Sequence, residues 1–130
     1  MNVIKVLTAL LIFTTATFAD GDAHNAAVQR ARDATTRVWY HEMQTTIADR
    51  DIATARIISE TATTARREAL SEHRSADADR WAKRLAEAQR DEREAQGRAD
   101  TNRRELSRAQ SDLQAATEDV RKTERVARRR

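Results

Sequence analysis

Three histidines, His24, His41 and His73, are the side chains in this 130-residue sequence best equipped for chemistry, and one of them opens a motif-like run. His41-Glu42-Met43-Gln44-Thr45 begins as a zinc-protease helix begins, with histidine and glutamate in succession. Such a site needs a second imidazole one helical turn later, so that two ligands converge on the metal. Thr45 stands there instead, and one imidazole does not hold zinc. His24 and His73 are remote in sequence, so a three-histidine centre would have to be assembled by folding. The chain has no cysteine, no glycine-rich loop to cradle phosphate and no nucleophile elbow. No paired carboxylates fall where a pocket is expected. The expectation is a protein that is not an enzyme, with no catalytic residue, metal or cofactor.

What the sequence does contain is spacing. Alternate steps of four and three from Trp81 visit Leu85, Ala88, Glu92, Ala95, Ala99, Asn102, Leu106, Ala109, Leu113, Ala116, Val120, Thr123 and Ala127. Most of these are apolar, and the residues between them are mostly Arg, Glu, Asp and Gln. A heptad pattern held this long marks a helix that packs along another helix. Alanine fills many of the positions, so two backbones can approach closely while burying little area per turn. Asn102 and Glu92 interrupt the seam. A buried Asn102 could fix register, whereas Glu92 is expected to be exposed at a loose seam. On the outer faces Asp79–Lys83, Glu94–Arg98, Asp100–Arg104, Glu118–Lys122 and Glu124–Arg128 place an acid four residues before a base, the favourable order on a helix.

The first half carries a looser stripe: Val28, Thr35, Trp39, Met43, Ile47, Thr54, Ile57 or Ile58, Thr61 and Ala65. Trp39, Met43, Ile47 and Ile58 are its large apolar members, and helical spacing suggests that they pack. Asp22 could cap the start of this helix. Between the halves, Ser75, Asp77 and Asp79 could open a new helix, with acids in its first turn. The joining segment has no Gly, Pro or Asn to make a turn. The expected fold is therefore all-α: an elongated, nearly continuous helix of about 150 Å at 1.5 Å per residue, with coiled-coil character in its C-terminal half. The alternative is an antiparallel helical hairpin turning near residues 71–75.

Residues 1–19 read as a secretory signal peptide. One basic residue, Lys5, precedes the uncharged run Val6–Phe18, and Thr17-Phe18-Ala19 offers small residues for cleavage before Asp20. The alternative is an uncleaved signal anchor, although the run falls short of the roughly 20 residues that span a bilayer. Residues 20–75 then form an N-terminal helical segment, and residues 76–130 the heptad helix with a basic tail. From Asp20 onward only twelve of 111 residues are Leu, Ile, Val or Phe. So sparse a core borders on disorder, yet the low net charge, the absence of Pro and the abundance of Ala, Arg, Glu and Gln favour helix. An exported domain with a weak core is normally stapled by disulfides. Without cysteine, this one must rely on helix propensity, ion pairs and association. No glycosylation acceptor and no apolar C-terminal tail are present.

The last ten residues hold Arg121, Lys122, Arg125, Arg128, Arg129 and Arg130 against Glu124 alone. Bases there complement the helix dipole. The cluster also suits an anionic membrane surface or an acidic partner. Arginine-rich tails commonly meet nucleic acid, but export disfavours it. A short apolar start, a charged cysteine-free helix over Trp81–Ala127 and a basic end resemble the inner-membrane spanins of phage lysis cassettes. That resemblance implies a membrane-anchored tether whose coiled coil spans the periplasm. Ala19-Asp20-Gly21-Asp22 after a leader also resembles trypanosome surface proteins, from which the missing cysteines, glycosylation sites and lipid-anchor signal depart. The functional expectation is a secreted or periplasmic helical protein that forms a homo-oligomer or binds another helical protein, with the tether as the alternative.

Overall fold

A computed structural model describes residues 22–128, which form two long helices packed against each other: α1, Asp22–Ser71, and α2, Ser75–Ala127. Among the described residues there is no strand. The all-α expectation is met, and the hairpin alternative is the form it takes; the nearly continuous helix is interrupted at Glu72-His73-Arg74. Residues 1–19, read above as a leader or anchor, lie outside the described residues, as do Arg129 and Arg130. No helix among the described residues is long and apolar enough to cross a membrane.

The turn is made by a residue that turn statistics rank below Gly and Asn. His73 adopts a left-handed backbone, with φ of 58°, a region in which His is enriched relative to most side chains. The Arg74 N–H donates to the Ala69 carbonyl at 2.8 Å and the His73 N–H to the Leu70 carbonyl at 3.2 Å. These crossed bonds form a Schellman closure that satisfies the last carbonyls of α1. Arg74 then starts the next helix, because its carbonyl accepts from the Ala78 N–H at 3.0 Å. Its guanidinium donates to Asp77 and to Glu72, each at 2.7 Å. The Asp77 bond, then the Glu72 bond, hold that guanidinium above its ordinary pKa. A raised folded value means that the contribution is present at lower pH and lost only as pH rises through the alkaline extreme.

The helices contribute to two compact units. The first joins the described residues up to His41 with those from Arg104 onward; the second is Glu42–Arg103. In the first, Ala27 and Ala31 of α1 pack with Ala116 and Val120 of α2, and Val28 lies against them. Ala34, Val38 and Ala109 are also buried there. In the second, Ala48 and Ile52 pack with Ala95 and Ala99, and Ala55, Ala62, Ala69, Ala78 and Ala88 are buried as well. Within each unit most buried residues of both helices follow heptad spacing; alanine dominates in the second unit, and in the first it is joined by Thr35, Val38 and Val120. Small side chains let the backbones approach closely, so the packing is dense although little apolar area is removed from water.

The face of α2 turned inward is the one that its 4–3 spacing marks. In the Glu42–Arg103 unit, Trp81, Leu85, Glu92 and Asn102 are half-buried between the buried alanines. In the other unit, Leu106, Leu113 and Thr123 are half-buried and Ala127 is exposed. In α1 the structure differs from the expected stripe. Trp39, Met43 and Ile47 are exposed, and Ile58 is half-buried. Val28 and Thr35 of that stripe do turn inward, but beside Trp39 and Ile47 the inward positions are Val38 and Ala48, because an alanine seam on α2 suits a close backbone better than an indole or a long aliphatic chain.

Candidate functional site

Where the seam meets solvent, each unit is edged by ion pairs between the helices. In the first, Arg30 meets Asp119 at 3.8 Å and Arg37 meets Asp112 at 3.3 Å. In the second, Arg56 meets Glu92 at 2.7 Å, Arg98 meets Asp51 at 2.9 Å and Arg103 meets Asp49 at 2.6 Å. Glu92 therefore leaves the role of a loose interruption and accepts a charge-assisted bond from the facing helix. Asn102 donates its amide to the Arg98 carbonyl of its own helix at 3.0 Å. Arg98, expected to pair with Glu94, reaches Asp51 instead, while Glu94 accepts from Arg90 at 2.9 Å. Exposed pairs of this kind contribute about 0–1 kcal/mol each. Their larger effect is on register: paired residue numbers add to 149 in both pairs of the first unit and to between 148 and 152 in the second. In the second unit a slip of one heptad would set Asp51 against Asp91 in place of Arg98.

The open grooves beside these pairs have little capacity for chemistry. One of about 280 Å³ is lined by Arg30, Arg37, Asp112 and Asp119, the ion pairs themselves. Another of about 260 Å³, between Asp51, Ile58, Asp91 and Arg98, is similar. Both lie below the usual range of enclosed ligand sites. Among the described residues no three His, Cys, Asp or Glu side chains are grouped to hold a metal. His41 stacks edge-on with Tyr40, ring centroids 5.1 Å apart. His24 Nδ1 lies 3.0 Å from Thr123 Oγ1. Because that hydroxyl already donates to the Val120 carbonyl at 2.8 Å, the proton in the His24 bond must come from Nδ1.

The distinctive surface is the outer side of α1. In the Glu42–Arg103 unit its fully outward positions are Met43, Thr46, Ile47, Arg50, Ala53, Thr54, Ile57, Glu60, Thr61, Thr64, Arg67, Glu68 and Ser71, all exposed. Four of these are charged, and between Met43 and Thr64 only Arg50 and Glu60. The outward positions of α2 in the same unit are Asp79, Arg80, Lys83, Ala86, Glu87, Arg90, Arg93, Glu94, Gly97, Asp100 and Thr101, of which eight are charged. The outer face of α2 is therefore much more heavily charged than that of α1, above all over Met43–Thr64.

The threonines make the α1 face less polar than its composition suggests. Thr46, Thr54, Thr61 and Thr64 each donate a hydroxyl to the carbonyl four residues earlier, at 3.0, 3.0, 2.8 and 3.1 Å. With the donor satisfied inside the helix, each adds a methyl group to a surface already carrying Met43, Ile47 and Ile57. Ile57 is 64% exposed and Ile47 46%. In the first unit Trp39, 55% exposed, and Tyr40 are likewise turned outward. Helical spacing marks Trp39, Met43 and Ile47 but suggests that they pack, whereas they are exposed.

The basic end of α2 is visible through Arg128. Lys122 meets Asp119 at 3.6 Å, while Arg121, Arg125 and Arg128 make no ion pair among the described residues. The chain matches no known protein-family model, no curated protein and no solved structure.

Proposed function

We propose that this chain is a non-enzymatic helical protein that works by association with other helices, through the outer face of α1. The observation that carries the reading is the sparsely charged stretch from Met43 to Thr64, where Met43, Ile47 and Ile57 stand among back-bonded threonines. The fold does not use this face, since the alanine seam on the opposite side already joins the two helices. Exposed apolar stripes flanked by polar residues favour protein contacts, and an amphipathic helix laid along such a stripe would bury it in the i, i+4 manner. The eight charges on the outer face of α2 make that helix a poor competitor for the same role.

A photo-crosslinking amino acid placed at Ile57 and, separately, at Arg90 tests this in the cells that make the protein. Adducts from position 57 and none from position 90 are expected, whether the captured chain is a second copy or a different protein. Equal labelling at the two positions, or none at 57, would contradict the reading.

A second reading rests on the unpaired bases Arg121, Arg125 and Arg128 at the end of α2. Their dipole-complementing placement and lack of ion pairs suit contact with an anionic membrane surface. Binding to vesicles containing phosphatidylserine, lost at high salt and on replacing these arginines with glutamine, would support that use. Salt-independent binding would exclude it.

A further inference from the structure

The outer face of α1 is complementary to itself, and this assigns an occupant. Along it, in the Glu42–Arg103 unit, Thr46, Arg50, Ala53, Ile57, Glu60 and Thr64 follow alternating steps of four and three, all exposed. This is the spacing of a helix-pairing seam, offset around α1 from the alanine seam within the hairpin. The two charges within residues 46–64 are opposite in sign, and beyond them Arg67 continues the same spacing. Neither Arg50 nor Glu60 makes an ion pair among the described residues.

We propose that a second copy of this chain docks on the face, antiparallel about a two-fold axis near residue 55. This rests on the reading of the α1 outer face given above. About that axis Arg50 of each copy meets Glu60 of the other, Ala53 meets Ile57, and Thr46 meets Thr64. A two-fold interface repeats each contact, so two ion pairs flank two small-against-large layers. The large Ile57 fills the space above the small Ala53, and the threonine methyls continue the contact outward. Parallel pairing in register fails on the same residues, since it sets Arg50 against Arg50 and Glu60 against Glu60. The charges therefore select both the orientation and the register, which a uniformly apolar stripe would leave free.

Sedimentation equilibrium of the full chain up to about 100 µM, on wild type, Arg50→Glu, Glu60→Arg and the combined charge swap, tests this. A wild-type dimer is expected. Each single reversal places like charges together twice and raises the dissociation constant at least about tenfold. The combined swap returns it to within about threefold of wild type. Both residues are exposed and unpaired in the monomer, so far-UV circular dichroism should be unchanged throughout. If the dimer resists both reversals but is dispersed by Ile57→Glu, the register is overturned and the outer-face reading stands. A dimer indifferent to Ile57→Glu overturns both. A monomeric wild type overturns the second copy as occupant; adducts to another protein from position 57 would then leave the reading itself intact.

Discussion

Ile47 and Ala48 are consecutive residues on α1 with opposite fates. Ala48 is 2% exposed in the seam, and Ile47 is 46% exposed on the far side. The same inversion recurs along the helix in the Glu42–Arg103 unit: Ile57 points out while Ala55 is buried, and Met43 is exposed while Ala62 is covered. Transfer free energy alone would put the larger residues inside, since each would remove more apolar area from water. Pairing with an alanine-lined partner reverses the choice. Two helices that approach closely gain contacts along the whole of their backbones, and large side chains would hold them apart. The inner face of α1 thus holds the fold together, and its outer face is left for something else.

The comparison is broken most severely by putting a charge into the seam. Ala95→Asp, at a position 1% exposed, should destabilise the fold by several kcal/mol, because an unpaired carboxylate is taken out of water. Urea denaturation followed by circular dichroism measures it. Two changes should sharpen the contrast by stabilising. Ser59 Oγ is buried without a hydrogen-bond partner, so Ser59→Ala should raise stability by about 1 kcal/mol in the same assay. Gly97 lies on the outer face of α2, with nothing within 4 Å of where a Cβ would stand. Gly97→Ala should then add about 0.5–1 kcal/mol through helix propensity alone. The smallest effect belongs to the outer face of α1. Ile57→Gln should change the monomer's stability by no more than about 0.5 kcal/mol, measured at low protein concentration so that association does not contribute.

These contrasts explain what could be read in advance. In α2 the seam alanines share their face with Trp81, Leu85, Leu106, Leu113 and Val120, and the outer face is densely charged, so hydropathy and packing point to the same side. In α1 they diverge. The inner positions Ala27, Ala31, Ala34 and Val38, then Ala48, Ile52 and Ala55, keep strict 4–3 spacing, but the bulkier Trp39, Met43, Ile47 and Ile57 draw the apolar stripe to the other side. Counting small residues rather than apolar ones would have found the seam. The turn was hidden for a different reason. Left-handed backbone is associated with Gly and Asn, whereas here His73 adopts it, fastened by the Arg74 bonds to Glu72 and Asp77. Ion-pair partners were hidden as well, because spacing along one helix cannot show that Asp51 on the other competes with Glu94 for Arg98. The outer face of α1 was legible residue by residue, but its exposure followed only from knowing which side the partner helix occupies.

The most direct test sets the two neighbours against each other with one replacement. Ile47→Asp and Ala48→Asp introduce the same charge at adjacent positions of the same helix, and urea denaturation at about 1 µM, where dimers should dissociate, compares them. The account predicts that Ala48→Asp loses several kcal/mol or fails to fold, while Ile47→Asp stays within about 1 kcal/mol of wild type. A severe loss from Ile47→Asp with little from Ala48→Asp would place the large apolar stripe inside and contradict it.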